Sequence, residues 1–202
     1  MRNSTSKILT YALLLSTLAF TACTTVSPVI GDGNVKYGDA KAVEAVTNEF
    51  GSTDLQTIAE SMTKSLLQSP VLSEAKKRPL ITVSEVKNKT SEYIDTKSIT
   101  DTIRTQLTKS GLVRFSVDIS EMQNQTDELN RQNSGLYKKN SAKKVGQMEG
   151  ADFRLDGSIT SIVKKNSSIK DVYYKFNLNL IDVESGVLEW SDEKEIRKTS
   201  KR

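Results

Sequence analysis

The sequence predicts a domain of the α+β or α/β class, with a mixed sheet of four to five strands, an antiparallel C-terminal meander and helices packed on both faces. Two observations support this prediction. Helical and strand patterns alternate in the first half of the domain, which is typical of an α/β unit. Three longer segments with alternating polar and apolar residues then follow one another toward the C-terminus, which is typical of consecutive antiparallel strands.

The first helix is predicted over residues 53–68. Thr53 and Gln56 have the spacing of a capping box, and Pro70 marks the end because proline cannot continue a helix. The apolar residues recur at helical intervals and indicate a face that packs on the core rather than on a membrane or a partner: Leu55, Ile58, Ala59, Met62 and Leu66.

An α/β unit is predicted after this helix. Residues 78–86 are dense in aliphatic side chains and predict an interior strand, and the polar residues 87–92 follow as a loop. Residues 95–110 carry an apolar stripe that predicts a second helix, with Gly111 as its stop. Residues 113–119 predict a second, short strand. This order does not decide which strands pair directly.

Two weaker helices are predicted next. Residues 120–132 are rich in Gln and Asn and have few apolar anchors, so we expect a loosely packed helix followed by a loop at residues 133–135. A short helix over residues 141–148 then follows and is closed by Gly150. Three of its side chains are expected to face the core: Ala142, Val145 and Met148.

The last third of the chain predicts three antiparallel strands over residues 151–163, 172–183 and 187–196, with a turn at residues 184–186. The alternation buries one face of the sheet and leaves the other at least partly open to water or to a partner. In the middle strand the inward residues are predicted to be Tyr174, Phe176, Leu178 and Leu180.

The N-terminus predicts export. Arg2 and Lys7 precede an apolar run over residues 8–22, which is shorter than the ~20 residues of a membrane-spanning helix and indicates a secretory signal. The run ends in Phe-Thr-Ala-Cys, which resembles the bacterial lipobox, although Phe20 stands where that pattern usually has Leu. The alternative is a signal peptide followed by an incidental Cys23.

Lipid attachment at Cys23 is the prediction that follows from this resemblance. Cys23 is the sole cysteine, so no intramolecular disulfide is possible, and several acyl chains would make a permanent anchor. Thr24 follows in place of Asp, which resembles lipoproteins sent to the outer membrane. We expect a signal peptide over residues 1–22, a tether over 23–51 with a root-mean-square span of about 30 Å, and a domain over 52–202.

The residue inventory argues against catalysis. The chain has no His, which excludes a Ser-His-Asp triad and disfavours a zinc site. Ser61 and Lys64 match the S-x-x-K spacing but lie in the first predicted helix without companion motifs. The formal net charge is +4 with both signs interspersed, so a nucleic-acid partner is not expected. We predict no enzyme activity, metal, cofactor or small-molecule substrate.

Five residues are predicted to contact a protein partner. Asn88, Lys89 and Thr90 lie in the polar loop, which is either an ordinary strand-to-helix connection or a binding loop on a rigid scaffold. Trp190 is either a core residue or a binding anchor. Tyr173 and Tyr174 point to opposite faces of their strand, so one of them is a candidate exposed aromatic, and Tyr173 is the predicted contact.

Several strings in this order resemble the LpoB family of penicillin-binding-protein activators, a relative of the TolB N-terminal-like and CsgG-type α/β domains. The strings are the lipobox, the Asn-Lys-Thr loop after the first strand, the helix-to-strand junction over residues 142–152, the strand over residues 174–180, and Ser-Gly-Val-Leu-Glu-Trp-Ser at residues 185–191. No single string is specific to the family, and the resemblance covers about residues 52–198.

The resemblance implies a function. It implies a lipoprotein anchored in the outer membrane, on the periplasmic face, whose domain binds a class A penicillin-binding protein. This partner is a bifunctional peptidoglycan synthase, and binding would stimulate both of its activities. We expect a monomer. The best-known members have a long Pro-rich tether, whereas this short tether has only Pro28. The alternative function is a structural or assembly lipoprotein, such as a CsgG-like secretion-channel subunit.

Overall fold

The structure is a computed structural model that describes residues 38–44, 47–118 and 121–201. The chain divides into two compact units, Met1–Ala42 and Val43–Arg202. In the first unit the described residues form a turn, in which the carboxylate of Asp39 accepts a hydrogen bond from the backbone N–H of Lys41 at 2.9 Å. The predicted signal peptide and Cys23 lie outside the described residues.

The second unit contains all the described helices and strands. In chain order they are α1 (Ser52–Leu67), α2 (Pro70–Ser73), β1 (Leu80–Asn88), α3 (Thr96–Ser110), β2 (Arg114–Phe115), α4 (Met122–Gln132), β3 (Phe153–Lys165), β4 (Ile169–Asp182) and β5 (Leu188–Lys201). No helix among the described residues combines the length and the apolar character that a membrane crossing requires.

The five strands form one mixed sheet in the order β2-β1-β3-β4-β5. Strand β1 runs parallel to both β2 and β3, whereas β3, β4 and β5 pair antiparallel in succession. The predicted mixed sheet and its C-terminal meander are therefore confirmed. Helix α3 supplies the crossover between the parallel strands β1 and β2, as an α/β unit requires.

The core lies between one face of the sheet and the two long helices. Helix α1 packs against α3 and β5, and α3 packs against β1 and β2. Strand β4 buries the four side chains predicted to point inward, Tyr174, Phe176, Leu178 and Leu180, and also buries Val172. The prediction of helices on both faces needs a correction, because α1 and α3 share this face. The other side of β4 carries polar residues such as Asn177, which gain little from burial under a helix.

Local chemistry explains where both long helices begin and end. Helix α1 starts one residue earlier than predicted, because the backbone N–H of Gly51 donates to the carboxylate of Asp54 at 2.9 Å. The predicted Thr53 cap is wrong. Helix α3 begins after Asp95, whose carboxylate accepts from the next turn, and ends at Gly111, where φ is +72°. A positive φ favours glycine, as the prediction of the stop assumed.

Two of the weaker predictions are corrected. Strand β2 has two residues rather than the seven of 113–119, although residue 119 lies outside the described range. Residues 141–148 form turns and coil, and the predicted inward residues Val145 and Met148 are 63% and 49% exposed. A positive φ of 78° at Gly146 interrupts any helical path there. Helix α4 buries no residue, which confirms its predicted loose packing.

Candidate interaction surfaces

The loop after β1 is held in one shape by its own side chains. The Oδ1 atom of Asn88 accepts hydrogen bonds from the N–H and the hydroxyl of Thr90, at 2.9 and 2.8 Å. The Nδ2 atom of Asn88 donates to the carbonyl of Glu92 at 2.8 Å. The N–H of Lys89 donates to Ile159 of β3, while the Lys89 side chain is exposed. A loop fixed in this way presents Lys89 with little ordering cost on binding.

Below this loop, Glu92 connects three parts of the chain. Its carboxylate accepts from the hydroxyl of Tyr174 on β4 at 2.8 Å and from the backbone N–H of Phe50 at 3.1 Å. Burial and this hydrogen bond raise the pKa of Tyr174. The ring of Phe50 packs edge-on against Tyr174, with centroids 5.8 Å apart. Phe50 belongs to the predicted tether, so the packed unit begins before residue 52.

Asn48 extends this connection to the C-terminal strands. Its side-chain amide donates to the carbonyls of Lys170 on β4 and Lys198 on β5, at 3.2 and 3.3 Å. The ammonium of Lys198 in turn donates to the carbonyl of Glu49 at 2.7 Å and pairs with the carboxylate of Asp54. These contacts are structural, because both charged side chains of the pair are largely buried.

An open groove lies beside β1. Strand β2 pairs with β1 only at Leu80 and Ile81, so the β1 edge beyond Ile81 has no strand neighbour among the described residues. The groove has a volume of about 580 Å³ and runs between this edge and the start of α3. Tyr93 lies at its mouth with 96% of its surface exposed. A free strand edge can pair with an added strand, and an exposed tyrosine is a favoured anchor.

Four charged side chains form the far wall of the groove. Arg104 bridges Asp118 and Asp101, with N–O distances of 2.6 Å to each. Lys97 lies 2.9 Å from Asp101 and 3.5 Å from Asp118, and its hydrogen bond to Asp101 raises the pKa of Lys97. Sequence reasoning missed this groove. The one signal in the sequence was Tyr93, a large aromatic residue in an otherwise polar connection.

The sheet face opposite the helices is polar. Tyr173 lies here with the guanidinium of Arg197 5.9 Å from its ring centroid, and a hydrogen bond with Glu195 raises the pKa of Tyr173. Lys175 and Glu193 form a neighbouring ion pair at 2.5 Å. These charges pair across strands β4 and β5, so the face is stable in water without a cover.

Trp190 lies on the other face of the sheet from Tyr173. It pairs with Leu180 in the β4–β5 register and packs partly against the core. The structure therefore brings together three of the predicted contact residues, Asn88, Lys89 and Thr90, in one loop. It joins neither Tyr173 nor Trp190 to them.

The described residues contain no group of three His, Cys, Asp or Glu side chains that could hold a metal ion. What they do present is a preformed loop, an open strand edge and a polar sheet face. The packed unit is therefore a domain of the α+β class.

The family model for the peptidoglycan-synthase activator LpoB matches residues 54–196. The chain belongs to the LpoB family, and the resemblance predicted from the sequence is confirmed. The match runs from the first turn of α1 into β5, so it includes nearly the whole packed unit. The family is one of regulatory activators of peptidoglycan synthesis. No curated protein matches the chain.

Several solved structures are similar to the chain at low sequence identity. The C-terminal domains of LpoB from Salmonella enterica and from Escherichia coli are similar at 16% and 18% identity, each with a TM-score of 0.42. Each alignment covers 71% of this chain and 98% of that domain. Lipoprotein GNA1162 from Neisseria meningitidis is similar at 17% identity and a TM-score of 0.38, over 60% of this chain and 84% of that one.

Proposed function

We propose that this protein is an outer-membrane lipoprotein, acylated at Cys23, that binds a bifunctional class A peptidoglycan synthase and stimulates it. The observation that carries the proposal is the family match over residues 54–196, because it spans the packed unit rather than one motif. The lipobox-like end of the N-terminal apolar run supports the anchor. The periplasmic face of the outer membrane is the location that both features imply.

The docking surface in this proposal is the loop Asn88–Thr90 together with the groove beside β1. The two are continuous, because β1 ends in the loop and the loop leads past Tyr93 to the first turn of α3. An extended segment of the synthase would pair with the β1 edge between Ile81 and Val86 and pack on Tyr93. The carbonyl of Val86 itself already accepts a hydrogen bond from the hydroxyl of Thr96 at 2.7 Å. Tyr173 and Trp190 remain proposed contacts on separate parts of the sheet.

Activation requires a preference between two states of the synthase. An activator shifts its partner only by binding the active state more tightly than the inactive one, and a preference of ~1.4 kcal/mol gives a tenfold shift. The ion pairs between Arg104, Asp101 and Asp118 offer a source for such a preference. A charged segment of the synthase that is exposed only in its active state can form ion pairs with these side chains in place of those within the groove.

The test is a reconstituted synthase assay with the mature lipidated protein in detergent. We expect faster glycan polymerisation, more peptide crosslinking and a complex that co-purifies. Unchanged rates together with no complex would overturn the proposal. Size measurement after detergent extraction separates it from the alternative, since a large ring would favour a secretion-channel subunit.

The anchor has its own test. Cys23→Ser removes the thiol that carries the acyl chains, so the variant should not incorporate labelled fatty acid in cells. Ser65→Ala, on helix α1, is the matched control and should incorporate the label as the wild type does. Fatty-acid incorporation by the Cys23 variant would contradict acylation at this residue.

A further inference from the structure

The segment that follows α4 exposes apolar and basic side chains together. We name residues 133–148 the basic loop. Leu136 is 85% exposed, and Tyr137, Val145 and Met148 are also exposed. The loop contains no acidic residue, and its four lysines are all exposed: Lys138, Lys139, Lys143 and Lys144. Their charge equals the formal net charge of the whole chain, which is +4.

Hydrogen bonds at its base hold the basic loop against the end of α4. The side-chain amide of Asn133 donates to the carbonyl of Lys143 at 2.9 Å, and the N–H of Lys143 donates to Gln132 at 3.0 Å. The guanidinium of Arg131 lies 5.9 Å from the ring centroid of Tyr137. These contacts close the loop onto the end of α4. The apolar side chains near its tip are therefore displayed outward instead of collapsing onto the core.

The charged side chains of the loop lysines have no acidic partner in the described part of the domain. None of the four forms an ion pair in the part of the chain that the structure describes, whereas Arg131 just before the loop pairs with Glu128. Exposed apolar side chains among charges of a single sign match a partner that can cover both kinds of group. The composition thus points to an anionic partner with an apolar layer beneath its charge.

We propose that the basic loop docks on the surface of an anionic phospholipid membrane. Lysine ammonium groups attract lipid phosphates, with about a fivefold gain in affinity for each lysine near the surface, while Leu136 and Val145 enter the acyl boundary. A protein partner fits less well, because four lysines without an acidic residue between them concentrate the residue type that protein interfaces deplete. The predicted tether, at about 30 Å, keeps the domain close enough for this contact.

The test places a fluorescent label on the loop of the lipidated full chain, reconstituted in vesicles. Leu136→Cys with a bimane label reports on the loop, and Ser73→Cys, exposed on α2, is the control position. Acylated Cys23 does not react with the label. In vesicles of phosphatidylcholine and phosphatidylglycerol, we expect acyl-brominated lipids to quench the label at residue 136 at least fivefold more than the label at residue 73.

A charge variant completes the test. Lys→Gln at all four loop lysines should abolish the difference in quenching. The matched control carries Lys→Gln at four exposed lysines elsewhere, Lys64, Lys76, Lys109 and Lys165, and should keep the difference. Vesicles of phosphatidylcholine alone, and high salt, should both weaken quenching. Equal quenching at both positions would overturn the proposal. A change in the fluorescence of the label at residue 136 that appears only after a peptidoglycan synthase is added would overturn it too.

Discussion

The hydroxyl of Tyr174 donates to the carboxylate of Glu92 across 82 positions of sequence, with the Oη atom 2.8 Å from both carboxylate oxygens. The contact joins the middle of the meander to the loop that forms the mouth of the groove. The proposed docking surface therefore depends on a buried hydrogen bond below it. Because Tyr174 itself is 1% exposed, a partner cannot reach it, and its role is to hold the loop in place.

Tyr174→Phe should lower the free energy of unfolding by about 2 kcal/mol, since the variant removes a buried hydrogen bond to a charged group and keeps the ring. Urea denaturation followed by circular dichroism measures the loss. Tyr93→Phe is the matched control, because Tyr93 is exposed and its hydroxyl is in contact with water. Equal stability of the two variants would contradict a structural role for the Tyr174 hydroxyl.

Alkaline pH should destabilise the wild type more than Tyr174→Phe. Burial and the hydrogen bond to Glu92 raise the pKa of Tyr174 in the folded state, whereas tyrosine in an unfolded chain titrates near pH 10. The protonated hydroxyl therefore contributes its full stability below about pH 10, and the contribution is lost as the pH rises beyond that toward the folded-state value. Unfolding curves at pH 9 to 11, as approximate limits, test this prediction. A parallel decline in both proteins would contradict it.

Lys198→Met should cost about 3 kcal/mol of stability. The ammonium of Lys198 pairs with Asp54 in a largely buried position, and removing it leaves the carboxylate uncompensated near the start of α1. The double variant Asp54→Asn with Lys198→Met should recover part of the loss, because it removes the buried charge. Thermal and urea unfolding measure the stability of the single variants and of the double variant. If the double variant loses the sum of the two single losses, the pair is not coupled.

The strands of the meander were predictable because alternation is a local signal. Tyr174, Phe176 and Leu178 are buried as their spacing predicts. Local spacing was misleading over residues 141–148, where it predicted a helix. Val145 and Met148 have helical spacing there, but they have no packed surface to meet. The groove was not predictable, because it exists only where β2 ends after two residues and leaves the β1 edge open. Whether the edge of a strand is exposed depends on which strands pair and over what length, and a local sequence pattern does not determine this.

Gly157→Ala should destabilise the sheet by about 2 kcal/mol. A Cβ atom at this position on β3 would lie 2.1 Å from the backbone carbonyl oxygen of Asn177 on β4, so the two strands would have to separate. Gly150→Ala is the control, since a Cβ atom there meets nothing within 4 Å. Differential scanning calorimetry compares the two. A neutral Gly157 variant would show that β3 and β4 can shift without cost.

Tyr93→Ala should weaken binding to the synthase about tenfold, or ~1.4 kcal/mol, because an aromatic anchor at the mouth of the groove would be lost. Its stability should stay close to that of the wild type, since the ring is almost fully exposed and buries little surface in the free protein. Val183→Ala, in the exposed turn after β4, is the matched control and should bind normally. Titration calorimetry with the purified synthase gives both affinities. Loss of affinity in Tyr173→Ala but not in Tyr93→Ala would move the docking surface from the groove to the polar sheet face, because these two tyrosines belong to separate surfaces of the same domain.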